Sequence, residues 1–326
     1  MTRIKDLTVG RPVEGYYALL IAEEREFSDS SRGSFLHLEL ADKTGQAAAK
    51  WWDWQKSGMT LDQYPIGSVV KLRGKADSYR DQKQILISRL RPAEEGEYSI
   101  DDLIRTSPRS EEEIVARISA LRELVENEHI RRLSASFFDD QEIFAAYLRA
   151  SAAERNHHAY VRGLAEHSCN VTEVAVSLAE HYSEVDKDLL VIGGLLHDYG
   201  KIRSYDISTS IHYSLEGRLV DHISIADAEV TAHAGAIEGF PATLRAEIRH
   251  LILSHHGERM YGSPVEPKTP EAILLNYADL IDSRMEMVRN GRNAVDSGGW
   301  SYVKPLRRNI YYGTPEPESG APDSGE

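Results

Sequence analysis

Between residues 157 and 282 the chain repeatedly sets a histidine or an aspartate inside, or at the end of, a strongly apolar helical segment. EHSCNVTEVAVSLAEHY carries His167, KDLLVIGGLLHDYGK carries His197 and Asp198, and GRLVDHISIADAEV carries His222. EIRHLILSHHGE carries His255 and His256, and ILLNYADLIDS carries Asp279. An unpaired imidazole or carboxylate is costly to bury. One such residue is ordinarily a satisfied core side chain, but a set of them on successive helices that must pack together needs partners at a common point. A helical bundle whose polar side chains converge on a shared metal centre satisfies them all at once.

The donor set limits the metal. The chain has one cysteine, Cys169, which excludes an intramolecular disulfide and a thiolate zinc cage. Imidazole with carboxylate suits Mn²⁺, Fe²⁺, Ni²⁺ or Zn²⁺ and does not choose among them. Asp198 neighbours His197 and lies between the other ligands in order, so it is the natural bridge between two ions. Two bridged ions about 3.5 to 4 Å apart lower the pKa of a shared water and clamp the attacking and leaving oxygens of a phosphoryl group. Hydrolysis of a phosphate ester or diester is the chemistry this arrangement serves best. Lys201, three residues after Asp198, is placed to neutralise charge on the scissile phosphate; the plainer reading is a lysine that suits a helix C-terminus.

The rest of the chain reads differently. From Val13 to Pro92 strand-like segments follow one another: VEGYYALLIAEEREF, SFLHLEL, AAAKWWDW, GSVVKLRGKADSY and QILISRL, with a helical break around Gln55 to Gln63. Five strands in this layout match an OB-fold barrel. Residues 1–92 hold 15 Lys and Arg against 12 Asp and Glu, whereas the whole chain has a net charge of −14. A mildly basic module joined to an acidic one suits phosphate contact beside cation capture, and it argues against nonspecific coating of nucleic acid. Helical patterning resumes after the polar AEEGEYS, with a capping box at Ser110 and Glu113 and an apolar face at Ile114, Ile118, Leu121 and Leu124, and helices are expected to about Met287. GTPEPESGAPDSGE has almost nothing to bury and reads as a disordered acidic tail. The expected organisation is multidomain: an all-β OB-fold barrel over 1–92, a helical connector over 93–150, an all-α phosphohydrolase domain over 151–290, and a C-terminal extension over 291–326. With no apolar run long enough to span a membrane, a cytoplasmic protein is expected.

The order H…HD…H…HH…D, here His167, His197-Asp198, His222, His255-His256 and Asp279, resembles the signature of the HD superfamily of metal-dependent phosphohydrolases. The segments NHHAYVRGLAEHS, GGLLHDYGK, SLEGRLVDHISI, LSHHGE, GSPVEP and YADLIDSRM further resemble the YhaM-type 3′→5′ exoribonucleases, which pair an OB-fold with an HD domain. The resemblance implies one metal held by His167, His197, Asp198 and Asp279 and another by Asp198, His222, His255 and His256, with Mn²⁺ as the favoured cofactor and Asp198 and Lys201 as the catalytic pair. It also implies that His157 and His158 shape the substrate mouth or back the ligands rather than bind metal, with a simple helix-start role as an equal alternative. Trp52, Tyr79 and Arg80 are candidate strand contacts, together with Phe35 and Lys83, although alternation sends Trp51 and Trp52 to opposite faces and about half of these aromatics into the barrel core.

The expected function is metal-dependent 3′→5′ hydrolysis of single-stranded RNA to nucleoside monophosphates, with single-stranded DNA left open as a substrate and a homo-oligomer as an open partner. Two alternatives stand beside it. An HD phosphohydrolase acting on a mononucleotide or dinucleotide is one, although GERMYGSPVEP lacks the Gly-Tyr-Pro triplet of the cyclic-dinucleotide branch. A catalytically inactive nucleic-acid-binding protein is the other, disfavoured because every ligand and Lys201 are present.

Overall fold

The computed structural model describes residues 1–27, 33–79, 82–154, 157–292 and 298–313. The chain divides into two compact units: residues 1–108 with 160–162 and 205–214, and residues 109–159, 163–204 and 215–326. Arg80 and the acidic tail from residue 314 lie outside the described residues.

The first unit is built on five strands, β1 (Pro12–Glu26), β2 (Ser34–Asp42), β3 (Gly45–Trp51), β4 (Val69–Tyr79) and β5 (Gln82–Pro92). They close in the order β1-β2-β3-β5-β4. The β3–β5 pairing is parallel and the others antiparallel, the topology of an OB-fold. Period-two alternation turns Tyr17, Leu19, Leu36, Leu38, Leu40, Ala49, Val70, Leu72 and Ile85 inward, and each is fully buried. Two 3₁₀ turns, Trp54–Ser57 and Leu61–Gln63, fill the expected break between β3 and β4.

A hairpin interrupts the helices that the sequence reading carried unbroken to Met287. β6 (Tyr205–Ile207) and β7 (Ile211–Tyr213) pair antiparallel across residues 208–210. YDISTSIHY alternates apolar and polar side chains around a Ser-Thr-Ser centre, which is strand and turn chemistry rather than helical patterning.

The second unit is helical: α1 (Glu111–Glu123), α2 (Glu128–Phe138), α3 (Gln141–Arg149), α4 (Gly163–Ala179), α5 (Lys187–Leu196), α6 (Lys201–Ser204), α7 (Leu215–Leu219), α8 (His222–Ala236), α9 (Ala242–Ser254) and α10 (Pro270–Arg292), followed by the hairpin β8 (Trp300–Val303) and β9 (Arg308–Tyr311). Ser110 caps α1, its side chain accepting from the Glu113 amide. Ile114, Ile118 and Leu121 join the core, whereas Leu124, expected on the same face, is the exposed C-cap residue. α5 is the central helix, with every residue from Leu189 to Leu196 buried. Its Gly194 lets α4 approach closely, since a Cβ there would lie 2.4 Å from Thr172 Oγ1. Side chains of α1, α2 and α3 lie in the same hydrophobic core as those of α4, α5, α8, α9 and α10, each buried Leu or Ile contributing about 1.5–3 kcal/mol.

Candidate metal centre and barrel surface

Five histidines and two aspartates from α4, the α5–α6 turn, α8, the end of α9 and α10 meet inside the helical unit. Asp198 is their hub. Its Oδ2 lies 3.4 Å from His167 Nε2 and 3.3 Å from His197 Nε2, while its Oδ1 lies 3.4 Å from His222 Nε2 and 3.6 Å from His255 Nε2. Asp279 Oδ1 stands 3.2 Å from His167 Nε2, and His256 completes a cluster with His222 and His255. Each oxygen of one carboxylate therefore faces its own set of donors.

Every histidine turns the same nitrogen inward. His197 Nδ1 donates to Gly194 O (2.8 Å), His255 Nδ1 to Ile252 O (2.7 Å) and His256 Nδ1 to Tyr261 O (2.9 Å). His222 Nδ1 is paired with Asp221 Oδ1 (2.7 Å) and His167 Nδ1 with Asp282 Oδ2 (2.7 Å). These outer acceptors fix the tautomer and leave Nε2 free to ligate. The inner atoms are short of partners: Asp198 Oδ1, His222 Nε2 and His255 Nε2 are buried without a hydrogen bond. His197 Nε2 and His167 Nε2 are 3.3 Å apart, which sets two lone pairs face to face unless a proton or a cation lies between them. Donors bound to one ion at about 2.0–2.2 Å stand roughly 3.0–3.6 Å apart, so the spacings are those of ligands. The residues fit divalent metal. A further grouping, His158 with His167 and Asp282, does not, because its 2.7 and 2.8 Å separations are hydrogen bonds.

Local sequence builds this geometry. The α5 helix ends at Leu196, His197 is its C-cap and Asp198 lies in the turn before α6. Gly200 has no positive φ. Its role is close approach: a Cβ would lie 2.0 Å from His222 O, so glycine is what lets the start of α8 touch the turn that carries Asp198. Asp221, with φ +69°, caps α8 through the Ile223 amide as well as holding His222. On α9, the turn after His255 is held by Asn276, whose Nδ2 donates to His255 O (2.6 Å).

The electrostatics divide the site. Burial opposes protonation of His167, yet its bonds to Asp198, Asp279 and Asp282 outweigh that and hold it well above the usual imidazole range. Burial lowers His222 and His255 and takes His256 to about 4. Asp198 is fully buried, which opposes ionisation, but Lys201 and His197 overcome this and keep it anionic. Lys201 Nζ donates to Asp198 Oδ2 at 2.6 Å and is itself buried.

Of the remaining expected residues, His157 lies beside the centre, its ring 5.7 Å from that of His167, with burial lowering it to about 3. His158 has no exposed surface and donates from Nε2 to Asp282 Oδ2 (2.8 Å), which places it behind His167. Sequence reasoning missed Asp282 and Asp221. Asp282 follows Asp279 by one helical turn and Asp221 precedes His222, so both carried a positional signal.

On the barrel, Trp51 and Trp54 are core, whereas Trp52 is 38% and Tyr79 54% exposed. Trp52 stacks on Phe27 (5.5 Å between centroids) and packs against Phe35 (4.8 Å). Lys50 Nζ lies 5.3 Å from the Trp52 ring centre and 4.6 Å from that of Tyr79. A cleft of about 700 Å³ beside them is lined by Arg25, Phe35, His37, Lys50, Tyr79 and Lys83 among others. Phe27 and Lys50 were not anticipated.

The HD domain family matches residues 164–284. The 3′-5′ exoribonuclease YhaM of Bacillus velezensis is 33% identical over 306 residues, 93% of this chain and 95% of that protein. The Bacillus subtilis protein of the same name matches with the same identity and coverage. That of Listeria monocytogenes is 34% identical over 290 residues, 88% of this chain and 90% of that protein. Among solved structures, the second OB-fold domain of replication protein A from Methanococcus maripaludis covers 29% of this chain at 16% identity and a TM-score of 0.24. No helix among the described residues is long and apolar enough to cross a membrane. A third of the residues are shared across more than nine-tenths of both chains, and the protein belongs to the YhaM family of 3′-5′ exoribonucleases.

Proposed function

We propose that this protein is a metal-dependent 3′→5′ exoribonuclease that hydrolyses single-stranded RNA to nucleoside monophosphates, acting in the cytoplasm. The observation that carries the reading is the Asp198 carboxylate, each oxygen of which faces a separate set of imidazoles within 3.3–3.6 Å. One ion is assigned to His167, His197, Asp198 and Asp279, and a second to Asp198, His222, His255 and His256. Mn²⁺ is the cation we favour on the family resemblance; the imidazole and carboxylate donors accept it without selecting it, and Cys169 is buried in the core rather than at the centre. When bound, such ions supply a nucleophile at neutral pH and stabilise charge on the phosphoryl oxygens.

The chain's own residues do the rest. Lys201 shares Asp198 Oδ2 with the first donor set, and its ammonium is assigned to the departing or non-bridging phosphate oxygen. His157, neutral at working pH because of burial, is assigned to substrate contact. On the barrel, the exposed Trp52 and Tyr79 with Lys50 near both rings form a surface on which bases stack while Lys83 follows the backbone; Arg80 adjoins it in sequence. An apolar stripe on α10, Ile273, Tyr277, Ile281 and Met285, is 44–57% exposed at helical spacing and supports self-association.

The deciding experiment follows 5′-labelled single-stranded RNA incubated with Mn²⁺ and either the native protein or the His197→Ala/Asp198→Ala double variant. A ladder that shortens from the 3′ end only with the native protein is expected. Intact RNA with both proteins, alongside turnover of mono- or dinucleotides, would replace this reading with the small-nucleotide one.

A further inference from the structure

Among the described residues, Asp282 accepts three hydrogen bonds and donates none. His167 Nδ1 (2.7 Å) and His158 Nε2 (2.8 Å) both reach its Oδ2, and Asn170 Nδ2 (2.8 Å) reaches its Oδ1. The Asn170 amide has its orientation dictated from both ends, because a guanidinium can only donate and an ionised carboxylate can only accept. Its Oδ1 takes a bond from Arg117 Nη2 (2.8 Å), which leaves Nδ2 for Asp282. Arg117 is in turn held by Glu173, at 2.6 and 2.8 Å.

We propose that Asp282 is the positioning residue of the His167 half of the centre, and that Arg117 of α1, acting through Asn170, is the far end of the hydrogen-bonded chain that sets it. The chain runs Arg117, Asn170, Asp282, His167, and it ends on Nε2 aimed between Asp198 and Asp279. Each link has one polarity only, so the imidazole cannot turn over or change tautomer without breaking a bond to a buried partner. Arg117 lies outside the segment that matches the HD family, so a helix with no chemistry of its own reaches the metal ligand. His158 adds a second clamp. It is fully buried with φ +48°, and Ala152 N donates to its carbonyl, so the polypeptide just before α4 is tied to the same carboxylate.

The inference rests on the metal-dependent reading and is tested by Mn²⁺ binding to the full-length chelator-treated protein, measured by calorimetry. The native protein is expected to take two equivalents. In Asp282→Asn the equivalent at His222, His255 and His256 keeps its affinity, and the other weakens by about 10- to 100-fold. Asn170→Ala weakens the same equivalent less and carries the test if Asp282→Asn does not fold. Arg117→Ala weakens the same equivalent as well, whereas Arg122→Ala, which removes the α1 ion pair with Asp139 (2.6 Å) without touching Arg117 or Asn170, leaves both affinities unchanged. Native binding in the variant that folds, or equal weakening of both equivalents, overturns the positioning role alone. A native protein that takes up no Mn²⁺ overturns the metal-dependent reading and this inference with it.

Discussion

Trp51 and Trp52 are adjacent in sequence and opposite in fate, which makes them a sharp test of the barrel surface. Trp51 is 6% exposed, inside the barrel core, whereas Trp52 is 38% exposed, stacked on Phe27 with Lys50 above it. Truncating a buried tryptophan removes its transfer free energy and leaves a cavity, at a cost of about 3–5 kcal/mol. Trp51→Ala should therefore unfold the barrel at markedly lower denaturant. Trp52→Ala loses aromatic contacts with Phe27 and Phe35 worth about 0.5–1.5 kcal/mol each, so its effect on stability is smaller. It should also weaken binding, because one stacked base contributes about 1–3 kcal/mol, a loss of roughly 5- to 150-fold in affinity. The assay is fluorescence anisotropy of a short labelled single-stranded RNA with the full-length protein in excess chelator, at one fixed salt concentration, beside denaturant unfolding of both variants. Affinity of Trp52→Ala within about twofold of native, where a stacked base should cost fivefold or more, would refute the stacking surface.

Metal and stability should be linked. At a concentration 100 times its Kd, each bound ion adds about 2.7 kcal/mol to the folded state. Restoring Mn²⁺ to chelated protein should then raise the Tm of the helical unit by roughly 5–11 °C per site; calorimetry showing no shift would count against a built site. Proton release gives a second check. The three carboxylates around His167 raise its pKa well above the ordinary value, so the metal-free imidazole still carries its proton as pH rises past 6.5, and Mn²⁺ must displace it. Calorimetry at pH 7 in buffers of different ionisation enthalpy should find about one proton released, and affinity should rise with pH. Gly200→Ala should lose the ligand His222 selectively, since the added Cβ would meet His222 O at 2.0 Å and the α8 start must move away. Mn²⁺ titration should then leave only the His167 half of the centre at native affinity. Light scattering should find the native protein larger than a monomer, and Tyr277→Glu/Ile281→Glu should return it to the monomer without changing secondary structure.

The convergent histidines and aspartates were legible because each violates the pattern around it. An imidazole within LLVIGGLLHD or HLILSHH cannot be paid for by apolar neighbours, and that violation repeats on helix after helix. The barrel was legible through alternation, down to the inward turn of Leu36, Leu38 and Leu40. The β6–β7 hairpin was not, because three-residue strands give too little periodicity to stand out between long helices. What surrounds the ligands was harder still. Asp282 had a local signal, one turn beyond Asp279, but Glu286 one further turn along α10 is more deeply buried and is paired with Arg289 instead, so helical phase alone does not say which acid serves the centre. Arg117 had no signal at all: it reaches Asn170 across 53 residues, and its contribution depends on the polarity of an amide that no spacing encodes. The general point is physical. Ligand atoms must be one of a few chemical types and so announce themselves, whereas the groups that aim them need only a lone pair or an N–H in the right place, which nearly any polar residue can supply. In this protein the aiming groups are backbone carbonyls for His197, His255 and His256 and carboxylates for His167 and His222. On the proposed two-ion assignment His222 and His167 fall in different halves of the centre, so mutating Asp221 and Asp282 separately should perturb each half without removing either imidazole.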